Sequence, residues 1–207
     1  MSWRHTRDDL LEQQWPEMNQ RPAISDEQLV ARAQDDPAAF VALYRRHYDG
    51  VFRYCVHRVF DRSAAEDVTS MVFLKVVQNL PKFVDRGSSF RSWLYRVANN
   101  AANDYLRCAR RRSVKELAAS LPEDAPTDGP PSFQDDEASA LKRAILKLNH
   151  QQQAIVAMRY FDGMRLTDVA AILGSSPATV RSQLSRALAS LRKRLTRQSR
   201  TGSRGAL

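Results

Sequence analysis

A regular apolar stripe in the last third of the chain constrains its fold more than any other feature. The stripe consists of Val180, Leu184, Leu188, Leu191 and Leu195, which recur at intervals of three or four residues. That spacing places all five side chains on one side of an α-helix. The segment is therefore expected to form a helix that packs through this side and exposes a side rich in arginine and serine.

The residues just before the stripe predict a tight turn between two helices. Gly174 tolerates the left-handed backbone that ends a helix, Ser176 can cap the following helix, and Pro177 fits its first turn. Residues 168–173 are mostly apolar and predict a short helix before the turn. Two helices joined in this way form a helix-turn-helix motif.

The exposed side of the second helix favours DNA as a partner. A solvated charged face is the alternative, but residues 181–207 hold eight basic residues and no acidic one, and such a cluster neutralises phosphates. The whole chain is basic, with a formal net charge of +9 and a pI of about 10.0. Arginine bonds guanine at two positions, and serine bonds a base or a phosphate. The candidate contacts to DNA are Ser176, Thr179, Arg181, Ser182, Ser185 and Arg186.

The rest of the chain predicts an all-α protein. Glycine is rare, with 7 residues in 207, and no segment alternates with the period of a strand. Ser25 and Gln28 form a capping-box pattern at the start of the first helix. Further helices are expected over residues 37–60, where Gly50 marks a bend, and over 64–80 and 90–112. Apolar positions between 141 and 148 and between 155 and 161 predict two more before the helix-turn-helix.

Composition divides the chain into two small helical domains. Residues 113–136 contain four prolines and an excess of acidic residues, which predicts a flexible linker. The first domain is expected over 25–112 and the second over 137–196. Residues 1–24 form an N-terminal extension without a clear apolar stripe, and residues 197–207 form a basic tail.

Several function classes are not supported by the sequence. Cys55 and Cys108 are isolated, so neither a zinc site nor a disulfide framework is expected. The four histidines are scattered, and no carboxylate pair or nucleophile–base spacing indicates catalysis. No apolar run approaches the roughly 20 residues of a membrane span. We expect a cytoplasmic protein that is not an enzyme, needs no cofactor or metal, and does not insert in membranes.

Three motifs, in this order, resemble those of the extracytoplasmic-function (ECF) sigma factors, the minimal members of the bacterial sigma-70 family. Residues 65–75 resemble the segment that docks on the clamp helices of RNA polymerase. Residues 90–100 resemble the promoter-melting segment, and residues 179–187 resemble the helix that binds the upstream promoter element. The resemblance covers residues 26–196. It implies a promoter-specificity subunit that binds the clamp and flap of core polymerase, acts as a monomer, and is held inactive by an anti-sigma factor.

The melting segment combines the side chains that hold unstacked bases. Aromatic faces stabilise such bases by about 1–3 kcal/mol each, and amides bond their exposed edges. Asn100 matches the family position that captures a flipped base, whereas Trp93 is expected to lie in the core. The candidate residues for melting and downstream contacts are Phe90, Trp93, Tyr95, Arg96, Asn100, Arg107, Arg110 and Arg111.

The resemblance also implies a polymerase-binding set consisting of Asp67, Met71, Phe73 and Lys75. Asp67 matches an acidic family position. The chain departs from the family at Ser70 and Met71, where a glutamine-glutamate pair is common, and at Arg165, where a capping serine is favoured. Thr167 is expected to cap a shorter helix instead.

Three interpretations remain open at the level of sequence. The chain is a sigma factor, an operator-binding regulator whose residues 26–112 form a ligand or dimerisation domain, or an RNA-binding adaptor. The aromatic, asparagine- and arginine-rich helix over residues 90–112 favours a sigma factor over the regulator, because a ligand domain has no need of it. An RNA-binding adaptor would use the same aromatic residues but would leave the helix-turn-helix without a function. The acidic linker is either a solvated tether or, as the resemblance implies, a segment in the RNA exit path whose carboxylates mimic RNA phosphates.

Overall fold

The computed structural model describes residues 24–83, 89–119 and 133–202, and their side chains within 24–83, 89–112 and 138–196. Within these ranges every regular element is a helix, which confirms the predicted all-α class. The acidic residues Glu123, Asp124 and Asp128 of the expected linker lie outside the described residues, as do residues 1–23 and 203–207.

The first domain is built from four helices. They are α1 (Asp26–Arg32), α2 (Pro37–Val59), α3 (Arg62–Asn79), which continues into a short 3-10 turn (Leu80–Lys82), and α4 (Phe90–Ala119). The predicted capping box is present, because the Ser25 hydroxyl accepts from the backbone N–H of Gln28 and the Gln28 side chain accepts from that of Ser25. Asp61 caps α3 by accepting from the backbone N–H of Ala64 at 2.7 Å. The local sequence therefore sets where α1 and α3 begin.

The second domain contains the helix-turn-helix. It comprises α5 (Phe133–Leu146), α6 (His150–Val156), a π-helical turn (Ala157–Phe161), α7 (Leu166–Leu173) and α8 (Pro177–Gly202). Asn149 caps α6 through the backbone N–H of Gln152 at 2.8 Å. Gly174 ends α7 with φ of 60° and ψ of 39°, the left-handed conformation that its position predicts.

The structure corrects three local expectations. Helix α4 continues to Ala119, beyond the predicted end at residue 112, because the first helix-breaking proline is Pro122. Gly50 does not interrupt α2; it lies where an added Cβ would come within 2.9 Å of the Tyr95 hydroxyl. Thr167 does not cap α7, which begins after Arg165 without a side-chain cap, and its hydroxyl instead contacts Asp168.

The two domains pack against each other. Their buried residues form one continuous apolar cluster, in which α4 contacts α7 and the π-helical turn lies against α2. The sequence predicts two separate cores, since no periodic stripe indicates a contact between the halves. This packing places the predicted melting helix, α4, beside the helix-turn-helix.

Candidate nucleic-acid interface

The turn between α7 and α8 fixes the direction in which α8 presents its side chains. The hydroxyl of Ser176 accepts a hydrogen bond of 3.1 Å from the backbone N–H of Thr179 and lies 2.9 Å from the Thr179 hydroxyl. These contacts satisfy one of the free amides at the start of the helix. Ser176 and Thr179 therefore stabilise the start of α8, which is a structural reason for these residues apart from any contact with DNA.

Helix α8 separates its two predicted sides. Val180, Leu184 and Leu191 are buried, and Leu188 and Leu195 pack partly against the core. Within the described residues, the opposite side carries exposed arginines and serines that form no ion pair with an acidic side chain. These residues are Arg181, Ser182, Ser185 and Arg186. A rigid row of donors on a helix of this kind fits the major groove of DNA.

Helix α4 brings only part of the predicted melting set to the surface. Phe90 is 2% exposed and packs against Phe83, Trp93 and His47, so it belongs to the core and offers no face to a base. Tyr95 is likewise buried, and burial raises the pKa of its hydroxyl to about 12. Both are corrections to the sequence-based set: aromatic residues on this helix pack inward against α2 and the residues after α3.

The remaining members of that set are accessible to different degrees. Trp93 packs partly against the core, in agreement with its expected position. Exposed positions are Arg96, Asn100, Arg107, Arg110 and Arg111. Arg107 lies 3.5 Å from the carboxylate of Asp104, an exposed pair that contributes little to stability. Arginines and an amide on the exposed side of α4 suit contact with a phosphate backbone and with an unstacked base.

Arg96 is already engaged within the protein. Its guanidinium donates to the backbone carbonyl of Ala171 at 2.8 Å and to that of Ile172 at 3.2 Å. Both carbonyls belong to the last turn of α7, where a cation is favoured by the helix dipole. In this arrangement two donors of Arg96 are therefore bound to the second domain.

The predicted polymerase-binding residues of α3 lie beside a groove. Asp67, Met71 and Lys75 line this groove together with α4 residues that include Tyr105 and Cys108, and the groove has a volume of about 310 Å³. Phe73 does not join them, because it is buried among aromatic side chains. The structure thus brings together three of the four predicted residues and assigns Phe73 to the core.

Helix α3 carries an exposed apolar surface that the sequence indicated only at Met71. Met71, Leu74 and Val77 are 49%, 52% and 49% exposed, and they follow one another at intervals of three residues along the helix. Large apolar side chains exposed together indicate a surface that contacts a partner. Val77 could have been identified, since Val76 and Val77 compete for one buried position and one of them must point outward.

The described part of the chain offers no group of three histidine, cysteine or acidic side chains that could hold a metal ion. No helix among the described residues is long and apolar enough to cross a membrane. The thiol of Cys55 is buried, and burial raises its pKa to about 11, so this thiol stays protonated and unreactive near neutral pH.

Similarity to known proteins indicates the function of these surfaces. A Sigma-70 region 2 model matches residues 43–112, and a Sigma-70 region 4 model matches residues 138–191. The ECF RNA polymerase sigma factor BldN of Streptomyces coelicolor is 31% identical over 187 residues, which cover 86% of this chain and 70% of BldN. This chain belongs to the ECF sigma factors. It is thus a sigma subunit that directs core RNA polymerase to specific promoters and initiates DNA melting, as the three motifs predict.

A second relative and two solved structures are also similar to this sigma factor. The ECF RNA polymerase sigma factor SigL of Mycobacterium tuberculosis is 30% identical over 172 residues, 79% of this chain and 94% of SigL. Two solved structures share the fold at 22% identity. CnrH in complex with the cytosolic domain of CnrY has a TM-score of 0.61 and covers 81% of this chain and 95% of that one. RpoE in complex with the anti-sigma factor NepR from Bartonella quintana has a TM-score of 0.56, with 76% and 96% covered.

The match over residues 43–112 disfavours the operator-binding alternative. That alternative assigns residues 26–112 to a ligand or dimerisation domain, whereas the family model assigns most of this segment to sigma region 2. The operator-binding regulator is therefore set aside.

Proposed function

We propose a division of labour between the two domains of this sigma factor. Residues 25–112 bind core polymerase and hold the melted strand, and residues 137–196 bind the upstream promoter element in duplex form. The observation that carries this proposal is the exposed side of α8, where arginines and serines stand on a helix fixed by a capped turn. The protein works as a monomer in the cytoplasm, where the polymerase is, and contributes no catalytic chemistry or cofactor of its own.

The upstream element is contacted by Arg181, Ser182, Ser185 and Arg186. Because the Ser176 and Thr179 hydroxyls already bond each other at the start of α8, their contribution is to hold the helix in position and to offer remaining hydrogen-bonding capacity to a phosphate. Melting and downstream contacts fall to Asn100, Arg107, Arg110 and Arg111, with Arg96 and the partly buried Trp93 beside them.

Core polymerase binds the outer side of α3. Asp67 supplies a charge for basic residues of the clamp, and Met71, Leu74 and Val77 supply apolar area. Met71 stands where the family commonly has a charged or amide side chain, so apolar contact compensates for the missing polar contact. An anti-sigma factor is the expected regulatory partner, as in the complex of RpoE with the anti-sigma factor NepR.

The polymerase contact is tested by titrating fluorescently labelled protein with bacterial core polymerase and recording anisotropy. We expect tight, saturable binding that Asp67→Arg weakens at least about tenfold, since a repelling charge replaces an attracting one. Glu66→Arg is the matched control: it makes the same charge change at the neighbouring exposed position, whose carboxylate pairs with Arg62 at 3.4 Å. Equal loss in both variants, or no binding by the wild type, would reject the proposed contact.

The upstream contact is tested with duplex fragments selected from random DNA by the reconstituted holoenzyme. Arg186→Ala is expected to weaken binding to the selected duplex and to relax the preference at one or two base pairs. Arg192→Ala lies further along α8 and is the control for loss of a positive charge. A uniform loss in both variants, with the base preference intact, would contradict base contact by Arg186.

A further inference from the structure

The first turn of α8 presents an apolar surface at the point where the helix begins. Pro177 and Ala178 open the helix and are exposed, and neither side chain carries a hydrogen-bonding group. A small exposed apolar residue is ordinary on a protein surface. On a helix that enters a groove of DNA, however, it determines which chemical groups of the DNA that turn of the helix can contact.

Ala178 lies in line with two of the proposed DNA contacts. Ala178, Ser182 and Arg186 follow one another at intervals of four residues, and all three are exposed. Residues four apart lie above one another on the surface of a helix. The opposite side of α8 is buried through Val180 and Ala187, which are both 0% exposed. Ala178 therefore belongs to the row that faces away from the core, one turn before Ser182.

The backbone around Ala178 is held on both sides. The carbonyl of Ser176 accepts a hydrogen bond of 3.0 Å from the backbone N–H of Val180, and the Ser176 hydroxyl accepts one of 3.1 Å from that of Thr179. Pro177 restricts the backbone at the first helical position. Because an alanine side chain has no rotamers, this backbone alone sets where the Ala178 methyl group lies.

The hydroxyl group beside Ala178 is already engaged. The Thr179 hydroxyl lies 2.9 Å from the Ser176 hydroxyl, so it is held towards the turn that precedes α8. The next hydroxyl in the row, on Ser182, is one turn further along, a rise of about 6 Å. The first turn therefore meets a base through the methyl group of Ala178, and hydrogen bonding by this row begins one turn later.

The major groove offers one apolar group, the C5 methyl of thymine, and its other exposed base atoms are hydrogen-bond donors and acceptors. A methyl group placed against a donor or acceptor displaces water and leaves that group unpaired, which is unfavourable. Against the thymine methyl it buries apolar surface instead. In helix-turn-helix proteins the N-terminal residues of the second helix contact base edges, and Ala178 occupies such a position.

We propose that Ala178 is a specificity-determining residue that contacts the methyl group of a thymine in the upstream promoter element. This inference rests on the proposed binding of that element by α8 and adds a base preference to it. Ala178 and Arg186 are separated by a rise of about 12 Å along the helix. Successive base pairs rise by about 3.4 Å, so the thymine lies within about four base-pair steps of the pair that Arg186 prefers.

The contact is tested by replacing single thymines of the selected upstream duplex with deoxyuridine, which removes only the C5 methyl group. The fluorescein-labelled duplex is titrated with the reconstituted holoenzyme, and anisotropy is recorded. Replacing the contacted thymine is expected to weaken binding by the wild type about threefold to fivefold, the loss expected for one buried methyl group. In Ala178→Gly, the same replacement is expected to cause no further loss, because the protein methyl is absent.

Ala189→Gly is the matched control. It makes the same change at another exposed position of α8, nearly three turns further along, and is expected to keep the deoxyuridine sensitivity of the wild type. Because glycine weakens a helix, thermal unfolding followed by circular dichroism is measured for each variant to show that it is folded. The wild type compared on thymine and deoxyuridine duplexes needs no variant at all.

Equal deoxyuridine sensitivity in Ala178→Gly and the wild type would show that another residue contacts the methyl group, and would overturn the inference. So would a wild type that is insensitive at every thymine, or a sensitive thymine that lies more than about four steps from the pair preferred by Arg186. These outcomes leave binding of the upstream element by α8 intact. Failure of the holoenzyme to select any duplex would instead reject the proposed function, and this inference with it.

Discussion

The hydroxyl of Tyr54 donates a hydrogen bond of 3.0 Å to Oδ1 of Asn99, and both side chains are buried. The next residue, Asn100, is exposed on the other side of the same helix. Two adjacent asparagines of α4 therefore have different environments. Asn99 satisfies a buried hydroxyl, which would otherwise lack an acceptor, and Asn100 is free to contact a partner.

Asn99→Ala is expected to lower the free energy of unfolding by about 1–2 kcal/mol, because it leaves the Tyr54 hydroxyl buried without its acceptor. Asn100→Ala is expected to change stability by less than about 0.5 kcal/mol and to reduce promoter opening. Urea denaturation gives the first quantity, and permanganate reactivity of promoter thymines in the holoenzyme gives the second. Equal promoter opening with Asn100→Ala and wild type would remove Asn100 from the melting site.

Ser175 and Ser176, adjacent residues in the turn before α8, also differ in their structural roles. Ser176→Ala removes the acceptor of the Thr179 amide and is expected to cost about 1 kcal/mol of stability. Ser175→Ala is the control, because Ser175 donates a hydrogen bond of 2.9 Å to the carbonyl of Ala170 through its backbone N–H and not through its side chain. Urea denaturation of the full chain measures both. The same loss in the two variants would show that the cap does not set the start of α8.

These residues show what sequence alone could and could not predict. The capped turn at Gly174 and Ser176 and the stripe from Val180 to Leu195 depend on neighbours in the chain, so periodicity and cap chemistry were sufficient for them. The burial of Phe90 and Tyr95 depends on which side of α4 meets α2, and aromatic residues suit either a core or a base-stacking surface.

The contact between the two domains could not be predicted from the sequence for a related reason. Arg58 donates a hydrogen bond to Gln153 across this contact, yet the two are 95 positions apart and belong to no apolar stripe, since each is a polar residue on a helix that packs mainly through other positions. A charged residue in a helix is usually exposed. Only tertiary packing shows that this arginine is buried, and with it that the two domains touch.

Because the carboxyl of Asp162 is buried, the stability of the protein is expected to depend on pH. Burial raises its pKa above the ordinary value of 3.8, and the hydrogen bond from Arg53 offsets this only in part. A raised pKa means that the folded state favours the protonated form. The contribution of Asp162 to stability is therefore fully present below the ordinary pKa and is lost as pH rises through the folded-state pKa.

Asp162→Asn resembles the protonated carboxyl at every pH. Relative to the wild type, this variant is expected to gain stability as pH rises from about 3 to about 7, as measured by urea denaturation across that range. Asp35→Asn, at an exposed position in the turn after α1, controls for the loss of one carboxylate. A difference from the wild type that shrinks as pH rises would mean that the ion pair with Arg53 outweighs the cost of burial.

Gly50 and Tyr95 form a pair whose coupling can be measured. Glycine inside a helix costs about 1 kcal/mol relative to alanine, so Gly50→Ala would ordinarily stabilise α2. Here an added Cβ would lie 2.9 Å from the Tyr95 hydroxyl, and Tyr95 is held in place by burial against Tyr54. Gly50→Ala alone is therefore expected to destabilise the chain. In a Tyr95→Phe background, where the hydroxyl is absent, the same change is expected to stabilise it by up to about 1 kcal/mol.

Urea denaturation of the wild type, Gly50→Ala, Tyr95→Phe and the double variant completes a double-mutant cycle. The cycle gives the coupling free energy between the two substitutions, which is expected to be favourable. Ala42→Gly, at an exposed position of the same helix, measures the ordinary cost of glycine in α2. If Gly50→Ala stabilised the wild type as much as it stabilises Tyr95→Phe, the added methyl group and the Tyr95 hydroxyl would not compete for space. Glycine at position 50 would then have no packing role, and the approach of α4 to α2 would have to be set by other contacts.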